Sequence, residues 1–380
     1  MLKAHKIRLY PNKKQTEYFE KSCGIARFAY NWGLTEWKKQ YANGEKPSGY
    51  GLNKKLNSIK RQEYPWMYEV TKRAPQQSLY NLDTGYKNAF RRIKQNKPTE
   101  SEENPWGFPQ YKRKFKHDSF RAEDGPASRV VVDGKKIKLP KIGFIKMAVP
   151  LRFSGRIMSV IISRQAQRWF ASILVDTEDI THERRDNKTC GIDLGVKQLV
   201  TLSDGTKYDG ANSLEKAIKK RSRLHRELHR RKKGSNNRRK TAKKIAQLEY
   251  KIACIRNDAL HKATIDIVLN NKYIGLEDLN TKGMLKNKRL ARRISDQAFG
   301  EFRRQIEYKA DWYGSNVIFV DRFYPSSKTC SQCGHIKEDL KLSDRIYKCD
   351  KCGFEGDRDL NAAINIKNNA IKNTVSTTGI

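Results

Sequence analysis

Two paired-cysteine turns near the C-terminal end constrain this chain more than any other feature. Cys330-x2-Cys333 and Cys349-x2-Cys352 are separated by fifteen residues. Each CxxC supplies two thiolates from one tight turn, and two such turns complete a tetrahedral site. The spacing predicts a zinc ribbon over residues 326–356, with Zn2+ in a structural role. Four thiolates leave no coordination position open for catalysis. Five residues past the last cysteine runs Asp357-Arg358-Asp359-Leu360-Asn361-Ala362-Ala363. That places a carboxylate at the start of an expected helix. A closed metal site beside an acidic helix start suggests a small insert that positions catalytic chemistry.

The 380 residues leave room for two or three domains, each with its own core. Lysine and arginine number 79 against 41 aspartates and glutamates, a net charge of +38. Like charges at this density oppose compaction, and a polyanion relieves them, so nucleic acid is the expected partner. No apolar run approaches the ~18 residues of a membrane span, so no membrane partner is expected. The start, Met1 to Ile7, lacks the apolar core of a signal peptide. A cytoplasmic protein acting at the nucleoid follows as the expectation. Cys23, Cys190 and Cys254 then read as reduced packing residues.

Along the chain, Lys6–Tyr10 alternates as a strand does, within a first segment 1–11. Asn12 is a candidate N-cap, with Gln15 three residues on. Ile25, Phe28, Ala29 and Trp32 form an apolar helical stripe, and Leu79, Leu82, Tyr86, Phe90 and Ile93 form another. Residues 12–107 thus read as a helical insertion. Residues 108–180 change to short alternating strands: Arg129–Val132, Lys136–Leu139, Phe144–Val149, Ile157–Ser163 and Trp169–Val175. A small β-barrel or sandwich is expected, joined by the first strand. Residues 181–188 are charged and aperiodic, as a linker is. Then come Thr189–Val196, Gln198–Ser203 and a third strand after Asp204-Gly205. A helical hairpin follows from Leu214 to Asn270, broken at Gly234–Asn237. Strand Tyr273–Glu277, helix Ile294–Tyr313 and strand Val317–Val320 lead into the ribbon. A last helix opens near Asp359, and residues 373–380 read as a disordered tail.

The order β-β-β-α-β-α-β-(insert)-α matches a multidomain α/β chain with an RNase H-like domain in two parts, 189–325 and 357–372. In such a fold the first and fourth strands are neighbours. Asp193, in Gly191-Ile192-Asp193-Leu194-Gly195, and Glu277, in Gly275-Leu276-Glu277-Asp278, each end an apolar strand. Gly191 and Gly195 read as room for a phosphate or ion. Two unit charges about 4 Å apart repel by roughly 4 kcal/mol at an effective dielectric near 20, so clustered carboxylates call for a cation. Mg2+ takes oxygen ligands, and a pair of such ions suits in-line phosphodiester cleavage. Asp193, Glu277 and Asp359 are the expected catalytic ligands of two Mg2+ ions. Asp193 would bridge both ions; Glu277 and Asp359 would each hold mainly one. Glu277 is preferred over Asp278 because it keeps the strand parity of Gly275. Asp359 is preferred over Asp357, which suits a helix cap. An actin-like ATPase also uses Asp-x-Gly after a strand, but Glu277, the ribbon and the charge argue against it.

Leu214 to Lys244 holds fifteen Lys or Arg against two Glu. A merely solvated face mixes signs, so this one reads as a phosphate track that includes Arg230, Arg231 and Lys232. Phe108 to Lys116 interleaves aromatics with Lys112, Arg113, Lys114 and Lys116, which suits base stacking beside backbone contacts, or equally a barrel edge. Lys328, beside the first knuckle, is a further phosphate contact. Lys282 to Arg293 reads as a basic loop after the Glu277 strand.

These residues resemble the TnpB family of insertion-sequence proteins, relatives of the compact type V CRISPR nucleases. The resemblance is carried by Gly191–Gly195, Gly275–Leu279, Tyr324-Pro325-Ser326-Ser327-Lys328-Thr329-Cys330, both knuckles, and Asp357–Ala363. It implies a wedge β-barrel holding a helical recognition insertion, then a RuvC-like nuclease domain. It implies an RNA-guided DNA endonuclease whose guide RNA derives from the mobile element. A short motif beside the target would be read by the N-terminal domains, and base pairing would read the rest. One site would cut both strands of the target, double-stranded at first and single-stranded once opened. Relatives lacking a catalytic acid act as guided repressors; here all three acids match. A DNA-binding repressor and a transposase or recombinase stand as alternatives, although no tyrosine sits in a recognisable catalytic setting.

Overall fold

The computed structural model describes residues 1–123, 130–178, 188–341 and 344–378. The chain divides into two compact units, Met1–Asp179 and Ile180–Ile380. Residues 181–187 of the expected linker lie outside the described residues, as does Arg129 of one expected strand.

The first unit holds β1 (Leu2–Tyr10), α1 (Lys13–Ala42), α2 (Gly49–Glu63), α3 (Arg73–Lys94), β2 (Ser119–Arg121), β3 (Val131–Asp133), β4 (Lys136–Leu139), β5 (Gly143–Met147), β6 (Arg156–Gln165) and β7 (Arg168–Asp176). Asn12 and Gln15 exchange side-chain and backbone hydrogen bonds of 2.9 and 3.0 Å, a capping box that fixes where α1 begins. The strands form one sheet in the order β2-β6-β7-β1-β5-β4-β3. This corrects the expected barrel. Among the described residues β2 pairs only with β6 and β3 only with β4, so the sheet stays open. Both edge strands are three residues long, too short for a closing ladder. Helices cover the sheet instead. Phe19 of α1 packs on Phe120 and Trp169, with ring centroids 5.7 and 5.1 Å away. Leu34, Leu52, Leu79 and Leu82 share a core with Ile137, Ile145, Ile162 and Ile173.

The second unit holds β8 (Thr189–Leu194), β9 (Val200–Leu202), β10 (Lys207–Tyr208), α4 (Ser213–Arg230), α5 (Asn236–Asn270), β11 (Tyr273–Glu277), α6 (Thr281–Leu285), α7 (Ala291–Gln297), α8 (Phe299–Tyr313), β12 (Asn316–Val320), β13 (Ile346–Lys348), β14 (Glu355–Asp357) and α9 (Arg358–Thr378). Its main sheet runs β10-β9-β8-β11-β12. The β10–β9 and β9–β8 pairs are antiparallel, and β11 lies parallel to both β8 and β12. The first and fourth strands of the unit are therefore neighbours. The helix expected over Ile294–Tyr313 is broken at Ala298, whose φ of 54° lies in the left-handed region. The basic stretch Lys282–Arg293 contains α6 and the start of α7 rather than being all loop. The last helix continues to Thr378, through the first six residues of the expected tail. Residues 379–380 lie outside the described residues.

Side chains alternate between the faces of this sheet. Ile192, Ile274 and Leu276 join a core with Leu260 and Ile267 of α5 and Phe302 and Ile306 of α8. Gly191 and Gly275, paired across β8 and β11, face the other way, against α9. A Cβ on Gly191 would stand 2.1 Å from the Ala363 carbonyl oxygen and 2.4 Å from the Lys367 amide nitrogen. A Cβ on Gly275 would stand 2.9 Å from the Ala370 Cβ. Gly191 thus admits a helix backbone rather than a phosphate or ion. Gly195 admits the turn at Gln198, whose carbonyl oxygen a Cβ would meet at 2.7 Å. Of the three spare cysteines, Cys23 and Cys190 are buried and Cys254 is exposed, which corrects its reading as a packing residue.

Gly191→Ala is expected to destabilise the chain by about 1–3 kcal/mol or more, because backbone atoms cannot yield. Gly24→Ala, inside α1, meets nothing nearer than 3.9 Å and is expected to stabilise by up to about 1 kcal/mol. Urea denaturation midpoints of the two variants should move in opposite directions.

Candidate active site and metal centre

The face that carries Gly191 and Gly275 also carries Asp193 and Glu277, two residues further along each strand. The last paired residues of β8 and β11 are Ile192 and Leu276, so the two acids follow side by side at one end of the sheet, on its interior strands. Asp359 is the second residue of α9, the helix that covers this face. All three acids are partly buried. Burial pushes the Asp193 carboxyl well above the usual carboxylate range, and the charges of Glu277 and Asp359 push it further. Arg358 opposes them. Burial also raises Glu277, against a hydrogen bond that its carboxylate accepts from the Ser326 hydroxyl. Asp193 is therefore close enough to Glu277 and Asp359 to feel the charge of each.

Their neighbours have other tasks. Asp357 accepts the backbone N–H groups of Asp359 and Leu360 at 2.9 and 3.1 Å, and Lys207 at 2.7 Å. It caps α9 as its position suggested. Against the upward push of burial, these hydrogen bonds hold its carboxyl below the usual range. Asp278 pairs with Arg303 and, at 2.6 Å, with Arg322. The Arg303 hydrogen bond is the main cause of its lowered pKa.

The thiols of Cys330, Cys333, Cys349 and Cys352 all lie within 4.8 Å of one another. Among the described residues they are the only group of acids, histidines or cysteines gathered this tightly. Asp193, Glu277 and Asp359 do not form such a tight group. Each knuckle closes with a backbone bond from a glycine to its first cysteine, Gly334 to Cys330 at 2.9 Å and Gly353 to Cys349 at 3.0 Å. Both glycines have φ near +75°, which other residues rarely adopt (75° and 74°). Backbone N–H groups of Cys352 and Lys351 lower the Cys349 thiol pKa, while, against a backbone hydrogen bond at Phe354, burial and the neighbouring thiols push Cys352 up to about 12. The donor set fits a Zn2+ ion: four soft ligands and one fully buried ring, Tyr347, in the same small core.

Two buried asparagines tie this module to α9, and the sequence did not single them out. Asn361 receives the Ser331 N–H at 2.9 Å and donates to the Thr329 carbonyl at 2.7 Å. Asn365 donates to the carbonyls of Ser326 and Thr329 at 2.9 and 2.6 Å. Two asparagines one helical turn apart among Ala362, Ala363 and Ile366 were the available signal. The loop they hold also carries Ser326, the partner of Glu277.

The expected nucleic-acid residues divide. In the first unit Lys112, Arg113 and Lys116 line one cavity of about 630 Å3 with Lys38, Tyr111 and His117. The Lys112 ammonium lies 4.1 Å from the Tyr30 ring centroid. Asn31 clamps the Lys112 backbone through both its N–H and its carbonyl. Lys114 lies over Phe115 instead. In the second unit Arg230 ends α4, Arg231 pairs with Glu227, and Lys232 follows. Lys328 donates one bond, to the Glu338 carbonyl at 2.8 Å.

An open sheet capped by helices, then a mixed sheet with a four-cysteine module, defines a multidomain α/β protein. Its sequence matches three family models in turn. They are described as "Helix-turn-helix domain" of the OrfB_IS605 type (residues 1–46), "Probable transposase" of the same type (172–288) and "Cas12f1-like, TNB domain" (299–366). The first segment is here one strand and one long helix. The "Putative RNA-guided DNA endonuclease InsQ" of Escherichia coli K12 is 32% identical over 96% of this chain and 91% of that protein. A "Putative RNA-guided DNA endonuclease" of Streptomyces pristinaespiralis is also 32% identical, over 96% and 88%. A solved Cas12f1–guide RNA–target DNA complex shares the fold, with a TM-score of 0.59 over 94% of this chain and 83% of that one at 17% identity. The chain belongs to the TnpB-type family of insertion-sequence RNA-guided endonucleases.

Cys349→Ser is expected to drop bound zinc from about one per chain to a small fraction, read by metal analysis of the purified protein. Asn365→Ala, which strands the Ser326 carbonyl and leaves the Thr329 carbonyl only its Asn361 bond, is expected to cost about 1–3 kcal/mol with the zinc retained.

Proposed function

We propose that this protein is an RNA-guided DNA endonuclease of a mobile element, hydrolysing phosphodiester bonds at the Asp193–Glu277–Asp359 site. The observation that carries this reading is the meeting of three acids from β8, β11 and α9, where burial and mutual repulsion raise the Asp193 carboxyl. Acids that gain nothing from one another point to a cationic ligand. The oxygen donors fit Mg2+ at Asp193, Glu277 and Asp359, in a RuvC-like centre formed by residues 189–325 and 357–372. Two bound Mg2+ ions would supply a polarised water and charge relief at the leaving 3′ oxygen.

The chain's own residues set up that chemistry. Asp193 feels the charges of both other acids, which suits it to share both ions. Ser326 holds the Glu277 carboxylate in one orientation through its hydroxyl. Asp357 caps α9 and so fixes the first turn, where Asp359 stands. Zn2+ in the 326–356 module has no share in the reaction; its four thiolates hold the loop that returns from β12 to α9.

The partners of this reading are a guide RNA from the element and target DNA, duplex first and single-stranded after opening. The net charge of +38 supports a polyanion. No helix among the described residues is long and apolar enough to cross a membrane.

The test uses the full chain purified with its own RNA, which is sequenced to define the target. Asp193→Ala is expected to cut matched DNA at least about 100-fold more slowly while keeping the RNA and the target affinity. Target affinity itself should fall steeply with salt, by about −0.7 in log–log slope for each phosphate held on a single strand. Equal cutting by the variant, or recovery of only random short RNA, would overturn the proposal.

A further inference from the structure

Phe323 is the most exposed large apolar side chain among the described residues, with 86% of its surface open. It lies on the loop between β12 and the cysteine module. That loop is bracketed by two residues that meet Glu277. Val320, three residues before, is paired with Glu277 across the parallel β11–β12 ladder. Ser326, three residues after, hydrogen-bonds the Glu277 carboxylate. Three residues of chain reach about 11 Å at most. The loop is also folded back by bonds from Tyr324 N–H to the Asp321 carbonyl and from Ser326 N–H to the Tyr324 carbonyl. The Phe323 backbone therefore lies within about 11 Å of both Val320 and Ser326, the two contacts of Glu277.

The loop holds its shape without help from that ring. Asp321 accepts the Phe323 N–H at 2.8 Å. Arg322 donates to the Asp278 carbonyl oxygen at 2.9 Å and to its carboxylate at 2.6 Å. Among the described residues no aromatic ring or cation stacks on Phe323. A flat apolar face is thus presented on a hydrogen-bonded loop whose two ends contact Glu277, and no described residue covers it. Such a face matches an unpaired nucleobase, whose own flat face is open only when the strand is single. A paired base keeps both faces within its own stack.

We propose that Phe323 stacks on an unpaired base next to the bond to be cut and holds one DNA strand along the carboxylates. This rests on the nuclease reading above and adds to it the strand state and the anchor. The face is chemically indifferent to base identity, so the anchor is sequence-tolerant.

The experiment uses the full chain with its copurified RNA and short single-stranded oligonucleotides carrying 2-aminopurine at successive positions. Binding in Mg2+-free buffer is followed by fluorescence; cleavage is followed after Mg2+ is added. The wild type should quench one or two adjacent positions. Phe323→Ala should lose that quench and raise KM by about 5- to 100-fold, with the rate at saturation unchanged. Phe323→Trp should restore both, and Phe323→Leu, of similar apolarity but without a π-face, should not. An unaltered quench and KM in Phe323→Ala, or leucine serving as well as tryptophan, would overturn the inference. The two leucine and tryptophan variants keep an apolar side chain, so their comparison stands even if alanine disturbs the loop. A wild type that quenches through Phe323 but does not cut sinks the nuclease reading alone; one that cuts with no effect at Phe323 sinks the stacking alone.

Discussion

The second unit depends on how closely α9 approaches its sheet. Two glycines, paired across β8 and β11, remove the Cβ atoms that would hold the helix away. Because strand side chains alternate, the next outward positions on both strands fall beneath the start of that same helix. They are occupied by Asp193 and Glu277. One packing contact therefore decides both whether α9 docks and whether its first turn meets two strand-end acids. Fold and site share a single constraint.

The electrostatics run against that arrangement. Burial and like charge raise the Asp193 carboxyl, and Arg358 offsets only part of the effect. Side chains nearby that gain from ion pairing point elsewhere: Asp278 to its arginines, Asp357 to Lys207 and the helix N-terminus. The cysteine module and the Asn361 and Asn365 bonds hold the returning chain in place. Rigidity near the acids thus comes from polar bonds to backbone, which specify direction in a way that apolar packing does not.

Much of this was visible in the sequence, where the signal was local. The CxxC spacing marks its own turns, and Asp359 follows within one segment. Asp193 and Glu277 each end a short apolar run, and strand parity separates Glu277 from Asp278. What escaped was non-local. Whether seven strands close depends on β2 and β3 finding each other, and neither three-residue strand announces that it will not. Gly191 looked like space for a ligand, because nothing in its neighbourhood says that residues 363–367 arrive there. The break at Ala298 hides in an otherwise helical stretch, since alanine favours helix everywhere except at a left-handed position. Asn365 was hidden because its partners lie nearly forty residues earlier (|i−j| of 39 to Ser326).

The placement of Asp359 on the far side of the cysteine module has a consequence for biosynthesis. Strands β8 and β11 leave the ribosome well before α9, and domains form as their segments emerge. During that interval the growing polypeptide owns two of its three acids and lacks the helix that aligns them. On the proposed nuclease reading, a chain that ends before the closing segment would be inactive, because it lacks both Asp359 and the helix that packs on the glycine pair.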